Sequence, residues 1–205
     1  GISDQSEVVS FFNDKKINVI SEIEFAYNFS KSNIIGITGS NGKTTTSTLI
    51  HKLITDAEIS CSISGNIGFS FSKVCDDNVQ YSVVELSSFQ LDGVDKFKPH
   101  IAVLTGISPD HLDRYKNYKD YIKSKFRITK NQSQDDYLIY NSDCEEINDY
   151  IKSNSINSIL LPFSTIKKVD QGAYYSNNEI NIIIDKNKIT MPTENFLVKG
   201  NHNIK

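Results

Sequence analysis

The stretch that most limits what this chain can fold into is Ile34-Ile35-Gly36-Ile37-Thr38-Gly39-Ser40-Asn41-Gly42-Lys43-Thr44-Thr45-Thr46. A short apolar run breaks into a glycine-punctuated turn and then into a segment able to continue as a helix. Gly39 and Gly42 let the backbone turn its N–H groups toward one point, and the start of the helix adds partial positive charge. Lys43 places a full positive charge beside that cradle, and Thr44 offers a hydroxyl of the kind that binds Mg²⁺. Residues 39–45 (Gly39, Ser40, Asn41, Gly42, Lys43, Thr44 and Thr45) therefore read as a phosphate-binding loop. The general pattern asks for a further glycine where Ile37 stands, so this is a shorter variant.

Around the loop the chain alternates. Strands are predicted at 34–38, 59–63, 81–85, 101–104, 137–141 and 158–163, with helices at 44–57, 118–130 and 144–152. That alternation is the signature of a mostly parallel, doubly wound α/β sheet. Past residue 170, short alternating runs at 173–175, 180–184 and 188–191, broken by Asn, Asp and Ser, predict a small antiparallel β appendage. Ahead of the loop lie a helix near 7–12, a short strand at 17–20 and a helix at 22–29. One such unit cannot bury both faces of a sheet, so residues 1–30 are expected to be the tail of another domain.

Two further strands end in ionisable groups. The strand at 81–85 ends on Glu85, and in loops of this type a second strand commonly brings an acid to the Mg²⁺ site, because a hard cation wants oxygen ligands. The strand at 101–104 runs into a segment with His111 between Asp110 and Asp113. Strand ends converging on one edge make His111 a candidate ligand, whereas His51 and His100 have no supporting neighbours and read as structural. On the helix from 118, Tyr118, Tyr121, Ile122, Phe126 and Thr129 form one stripe that also takes in Lys125. Spacing alone predicts that Lys125 snorkels to solvent, since desolvating an ammonium is expensive.

Composition narrows the rest. Lys and Arg number 22 against 25 Asp and Glu, a formal charge of −3, and no basic block or aromatic-interleaved stripe points to nucleic acid. No apolar run approaches the ~20 residues of a membrane span. Cys61, Cys75 and Cys144 are odd in number, widely spaced and outside any metal pattern, as expected for reduced thiols in a cytoplasmic protein.

Five motifs carry a family resemblance: Gly39-Ser-Asn-Gly-Lys-Thr44, Gly65-Asn-Ile-Gly68, Glu85-Leu-Ser-Ser-Phe-Gln-Leu91, Pro109-Asp-His-Leu-Asp-Arg-Tyr115 and Gly200-Asn-His-Asn203. In order and approximate spacing they resemble the Mur ligases, and the second and third most resemble the branch that adds D-glutamate. The resemblance implies an ATP- and Mg²⁺-dependent ligase of cytoplasmic peptidoglycan precursor synthesis, a monomer. ATP would phosphorylate the carboxylate of UDP-N-acetylmuramoyl-L-alanine, and the amine of D-glutamate would attack the acyl phosphate.

By the same resemblance, Lys43 contacts the ATP phosphates, Thr44 and Glu85 bind one Mg²⁺, and His111 binds a second. Lys125 matches a lysine that the family carbamylates beside that second metal. Asn66 and Ser87 fall near the muramoyl substrate, and His202 and Asn203 beside the adenine. The chain would hold the central ATPase domain at 31–205, preceded by a remnant of the UDP-binding domain and without the amino-acid-binding domain, so that this piece alone is inactive as a ligase. Gly106 stands where the family usually has Asn, and Phe69-Ser70 where a Pro usually follows Gly68, departures that touch loop geometry. Folylpolyglutamate synthase, another Mur-type ligase or a non-catalytic ATP-binding module are the alternatives. A regulatory GTPase is disfavoured, because Thr129-Lys130-Asn131-Gln132 lacks the acid of a base-reading motif.

Overall fold

The central strand β1 (Asn33–Thr38) is buried at every residue but its first. An unbroken apolar run of this kind is what a parallel strand covered on both faces requires. The computed structural model describes residues 6–110 and 114–193. Before β1 come α1 (Glu7–Asp14) and α2 (Glu22–Tyr27). After it follow α3 (Lys43–Asp56), β2 (Cys61–Gly65), β3 (Tyr81–Glu85), α4 (Ser88–Asp92), β4 (Ile101–Leu104), α5 (Tyr118–Phe126), β5 (Tyr137–Asn141) and α6 (Glu145–Ser153). β6 (Ile159–Ser164), β7 (Gly172–Ser176), β8 (Glu179–Ile184) and β9 (Asn187–Pro192) complete the order.

These strands form one sheet in the order β2-β3-β1-β4-β5-β6-β7-β8-β9. Pairing is parallel from β2 through β7 and antiparallel for β7–β8 and β8–β9. The expected antiparallel hairpins thus extend the main sheet, and the run at 173–175 first pairs parallel to β6. Helices cover both faces. Ile23 and Ala26 of α2, Leu91 of α4, Tyr121 and Phe126 of α5 and Ile147 of α6 share one core with Val84, Leu104 and Leu138, while Ile50 and Ile54 of α3 pack on Ile35, Ile37, Val83 and Val103 opposite. Each fully buried aliphatic side chain contributes roughly 1.5–3 kcal/mol.

Two expectations need correction. Residues 17–20 form no strand: the Ile17 N–H bonds to the Phe12 carbonyl after α1, and Ile17, Val19 and Ile20 are exposed in a segment without a ladder partner. An apolar alternation becomes a strand only where a neighbour can pair it. The helix predicted at 118–130 ends at Phe126, and a 3-10 turn, Arg127–Thr129, carries the chain on.

α2 is fixed to the main core by a buried carboxylate. Glu24 is 3% exposed and accepts the N–H groups of Asp95, Lys96 and Phe97 at 2.8–2.9 Å. Ser21 caps the helix by accepting the Glu24 N–H. Replacing Glu24 by Ala leaves those donors unpaired and should cost about 3 kcal/mol in urea unfolding. A loss under about 1 kcal/mol would show that water substitutes for the carboxylate.

Candidate active site

β1 delivers the chain to the loop at the carboxyl edge of the sheet, flanked by β3 on one side and β4 on the other. In open α/β sheets that edge is where ligands bind. Gly39 has φ +151°, and a β-carbon there would fall 2.0 Å from Thr105 Oγ1, so only glycine fits. Lys43 opens α3 and folds back over the loop, its Nζ donating to the carbonyls of Gly39 at 3.0 Å and Ser40 at 2.9 Å. Among the described residues, the N–H groups of Asn41, Gly42 and Lys43 have no backbone acceptor. Those donors, the helix start and the lysine make an anion cradle.

Ser40 does something else. Its N–H donates to the Gly106 carbonyl at 2.8 Å, and its hydroxyl meets the Ser108 N–H and carbonyl and the Tyr121 hydroxyl, each at 3.0 Å. It anchors the loop to the 105–108 segment and to α5. The side chain is 8% exposed.

Glu85, the last residue of β3, is 1% exposed. The Thr44 hydroxyl donates to its Oε2 at 2.9 Å, and the Asn66 amide donates to its Oε1 at 2.9 Å. The Asn66 N–H also bonds the Glu85 carbonyl at 2.8 Å. Gly65, at φ +105°, permits this approach, since a β-carbon would lie 2.1 Å from the Glu85 carbonyl oxygen. Among the described residues no cation pairs with this carboxylate. A buried carboxylate oxygen beside a hydroxyl oxygen, at the mouth of an anion cradle, is a hard-oxygen donor pair that fits Mg²⁺.

Lys125 does not snorkel. It is 2% exposed, donates to the Gly39 carbonyl at 2.9 Å, and lies 4.7 Å from the centre of the Tyr121 ring. Burial, reinforced by repulsion from Lys43 on the same carbonyl oxygen, lowers its pKa to about 7, against the opposing pull of Asp110 and Asp92. An amine so placed exists at neutral pH as a mixture of its charged and neutral forms. The stripe that spacing assigned to a core face carried it inward, and the loop carbonyl supplied the polar partner.

Lys43, Thr44, Glu85, Asn66 and Lys125 are thus gathered at one edge, around the loop. Ser87 lies just past Glu85 and caps α4: its hydroxyl accepts the Gln90 N–H at 3.2 Å, and the Gln90 side chain accepts the Ser87 N–H at 3.0 Å. His111, His202 and Asn203 lie outside the described residues. Thr105 and Ser108, from the segment after β4, hold the loop without any motif marking them, and Tyr121, marked in the sequence only as part of a core stripe, joins them from α5. Thr105 had one signal, its place directly after an apolar strand neighbouring β1. His51 and His100 bond to the Cys61 carbonyl and the Asp136 carboxylate, away from the loop.

The family model described as the Mur ligase middle domain matches residues 37–205. The UDP-N-acetylmuramoylalanine–D-glutamate ligase of Christiangramia forsetii is 50% identical over 208 aligned positions, covering all of this chain and 46% of that protein. This chain therefore spans less than half the length of that relative. Among solved structures, the UDP-N-acetylmuramate:L-alanyl-gamma-D-glutamyl-meso-diaminopimelate ligase from Neisseria meningitides superposes with a TM-score of 0.67 at 14% identity, over 98% of this chain and 67% of that one. The MurF ligase of Thermotoga maritima in complex with ADP gives 0.58 at 18%, over 91% and 44%. At those identities the likeness establishes the fold, the mostly parallel sheet. With the middle-domain match running through most of its length, the chain belongs to the Mur ligase family.

Proposed function

We propose that the full-length protein is an ATP-dependent ligase that joins D-glutamate to UDP-N-acetylmuramoyl-L-alanine through an acyl phosphate. The observation that carries this is Glu85, buried and held between Thr44 and Asn66 where the phosphate loop opens. The D-glutamate specificity follows the relative that is 50% identical, which supports it over another Mur-type or folate ligase. Residues 31–205 would be the ATPase domain and residues 1–30 the tail of the domain that holds the UDP group, with its α2 packed on the ATPase core.

Each residue has a task in that chemistry. The N–H groups of Asn41, Gly42 and Lys43, with the Lys43 ammonium, bind and orient the ATP phosphates. Thr44 and Glu85 would hold Mg²⁺, with Asn66 fixing the carboxylate rotamer. By the family resemblance, His111 and a carbamate on Lys125 would hold a second cation. When bound, the cations supply the positive charge that lets two anions, a carboxylate and a phosphate chain, approach each other. By the family resemblance His202 and Asn203, outside the described residues, would bind the adenine. Asn66 and Ser87 also border the muramoyl substrate, and a cytoplasmic location suits the nucleotide-linked substrate.

In the full-length enzyme Lys43→Ala should weaken ATP binding by about 100-fold, the loss of two to three kcal/mol of charge-assisted bonding, with the melting temperature little changed. Unaltered ATP affinity would show that the loop is no nucleotide site. Lys125 is checked differently. Carbamylation needs the neutral amine, so ¹³CO₂ incorporation should rise as pH rises through about 7. Lys125→Arg should lose turnover, whereas Lys125→Ala should recover part of it in acetate. Parental turnover in Lys125→Arg would rule the carbamate out.

A further inference from the structure

Thr105 lies against the phosphate loop at a position the loop motif does not mark. Its N–H donates to the Thr38 carbonyl at 3.0 Å, carrying the β1–β4 pairing one residue past β4. Its hydroxyl reaches further. Oγ1 is 2.6 Å from the Asn41 carbonyl oxygen and 3.3 Å from that of Thr38. A hydroxyl has one proton, so the short contact is the hydrogen bond. Both loop glycines border the same side chain: a β-carbon at 39 would fall 2.0 Å from Thr105 Oγ1, and one at 42 would stand 3.7 Å from Thr105 Cβ. Thr105 fills the space that glycine at 39 leaves.

We propose that Thr105 is a positioning residue for nucleotide binding, which locks the 41–42 peptide of the phosphate loop with its N–H turned toward the phosphates. The proposal rests on the nucleotide reading above and adds a residue to it. A trans peptide is planar, with its C=O and N–H pointing in opposite directions. Holding the Asn41 carbonyl against Thr105 turns the Gly42 N–H away from the end of β4, where no backbone group among the described residues accepts it. Gly42, at φ +82°, supplies one of the two torsions about which this peptide turns, and its freedom lets the peptide rotate in the absence of such a hold. A donor fixed before the ligand arrives strengthens binding, because the ordering has already been done.

The same contact is a poor candidate for a mere stability element. It is solvent-exposed, so water replaces it readily when the hydroxyl is removed. Ser40, bonded to Gly106 and Ser108, holds the neighbouring residue from the same segment. The 105–108 segment therefore grips the loop at two successive residues, and the Thr105 grip is the one next to the cradle donors.

The test uses the full-length enzyme with ATP as the probe, in the parent, Thr105→Val and Thr105→Ser. Valine keeps the shape without the hydroxyl; serine keeps the hydroxyl without the methyl. Thr105→Val should raise the ATP Kd and KM about tenfold, leave kcat within about threefold and the KM of D-glutamate unchanged, and melt within a few degrees of the parent. Thr105→Ser should bind ATP within about twofold of the parent. Parental ATP affinity in Thr105→Val, or an equal loss in Thr105→Ser, would overturn the role of the hydroxyl while leaving the nucleotide site standing. A parent that binds no ATP would overturn the nucleotide reading and this proposal together.

Discussion

A carboxylate taken out of water at the end of a strand has to be compensated, and the site is arranged around how Glu85 meets that demand. Its two oxygens receive one hydrogen bond each, from Thr44 at the start of α3 and from Asn66 just past β2. Three strand ends are thereby held together: the phosphate loop after β1, the Gly65 turn that ends β2, and Glu85 at the end of β3. Both donors are neutral. The negative charge remains available to a cation, which would bind without displacing a lysine or arginine from it.

Positive charge has its own arrangement. Lys43 and Lys125 reach the same Gly39 carbonyl from opposite elements, one across the loop and one from α5. Burial above all, with the Lys43 charge beside it, brings the pKa of Lys125 down to about 7. A polyanion entering the cradle would offer Lys43 a better partner than two carbonyls. Loop, buried amine and carboxylate are coupled through a few backbone atoms, so a change at one is felt by the others.

The sequence revealed the loop, the neighbouring strands and the acid because each depends on local rules: glycine spacing, apolar runs, and a polar group where a buried strand ends. Lys125 was misread for a physical reason. Helical periodicity locates a face, but the fate of a charge on that face depends on what lies opposite, and the Gly39 carbonyl is 86 residues away in sequence. The strand expected at 17–20 failed for lack of a neighbour, also a non-local matter. Thr105 went unmarked and Tyr121 read only as part of a core stripe, because both meet the loop from elements distant in sequence. Ser40 was placed correctly in the loop, but its N–H and hydroxyl turn toward Gly106 and Ser108 rather than into the cradle.

The claim that Thr44 and Glu85 form a cation site serving the phosphate loop is tested most directly by measuring how Mg²⁺ alters ATP binding to the full-length enzyme and to Glu85→Gln. Glutamine preserves the size of the side chain and removes its charge. In the parent, Mg²⁺ should strengthen ATP binding by at least about tenfold, or ~1.4 kcal/mol. Glu85→Gln should still bind ATP, with that enhancement abolished. An undiminished Mg²⁺ enhancement in Glu85→Gln would contradict the assignment and place the cation elsewhere.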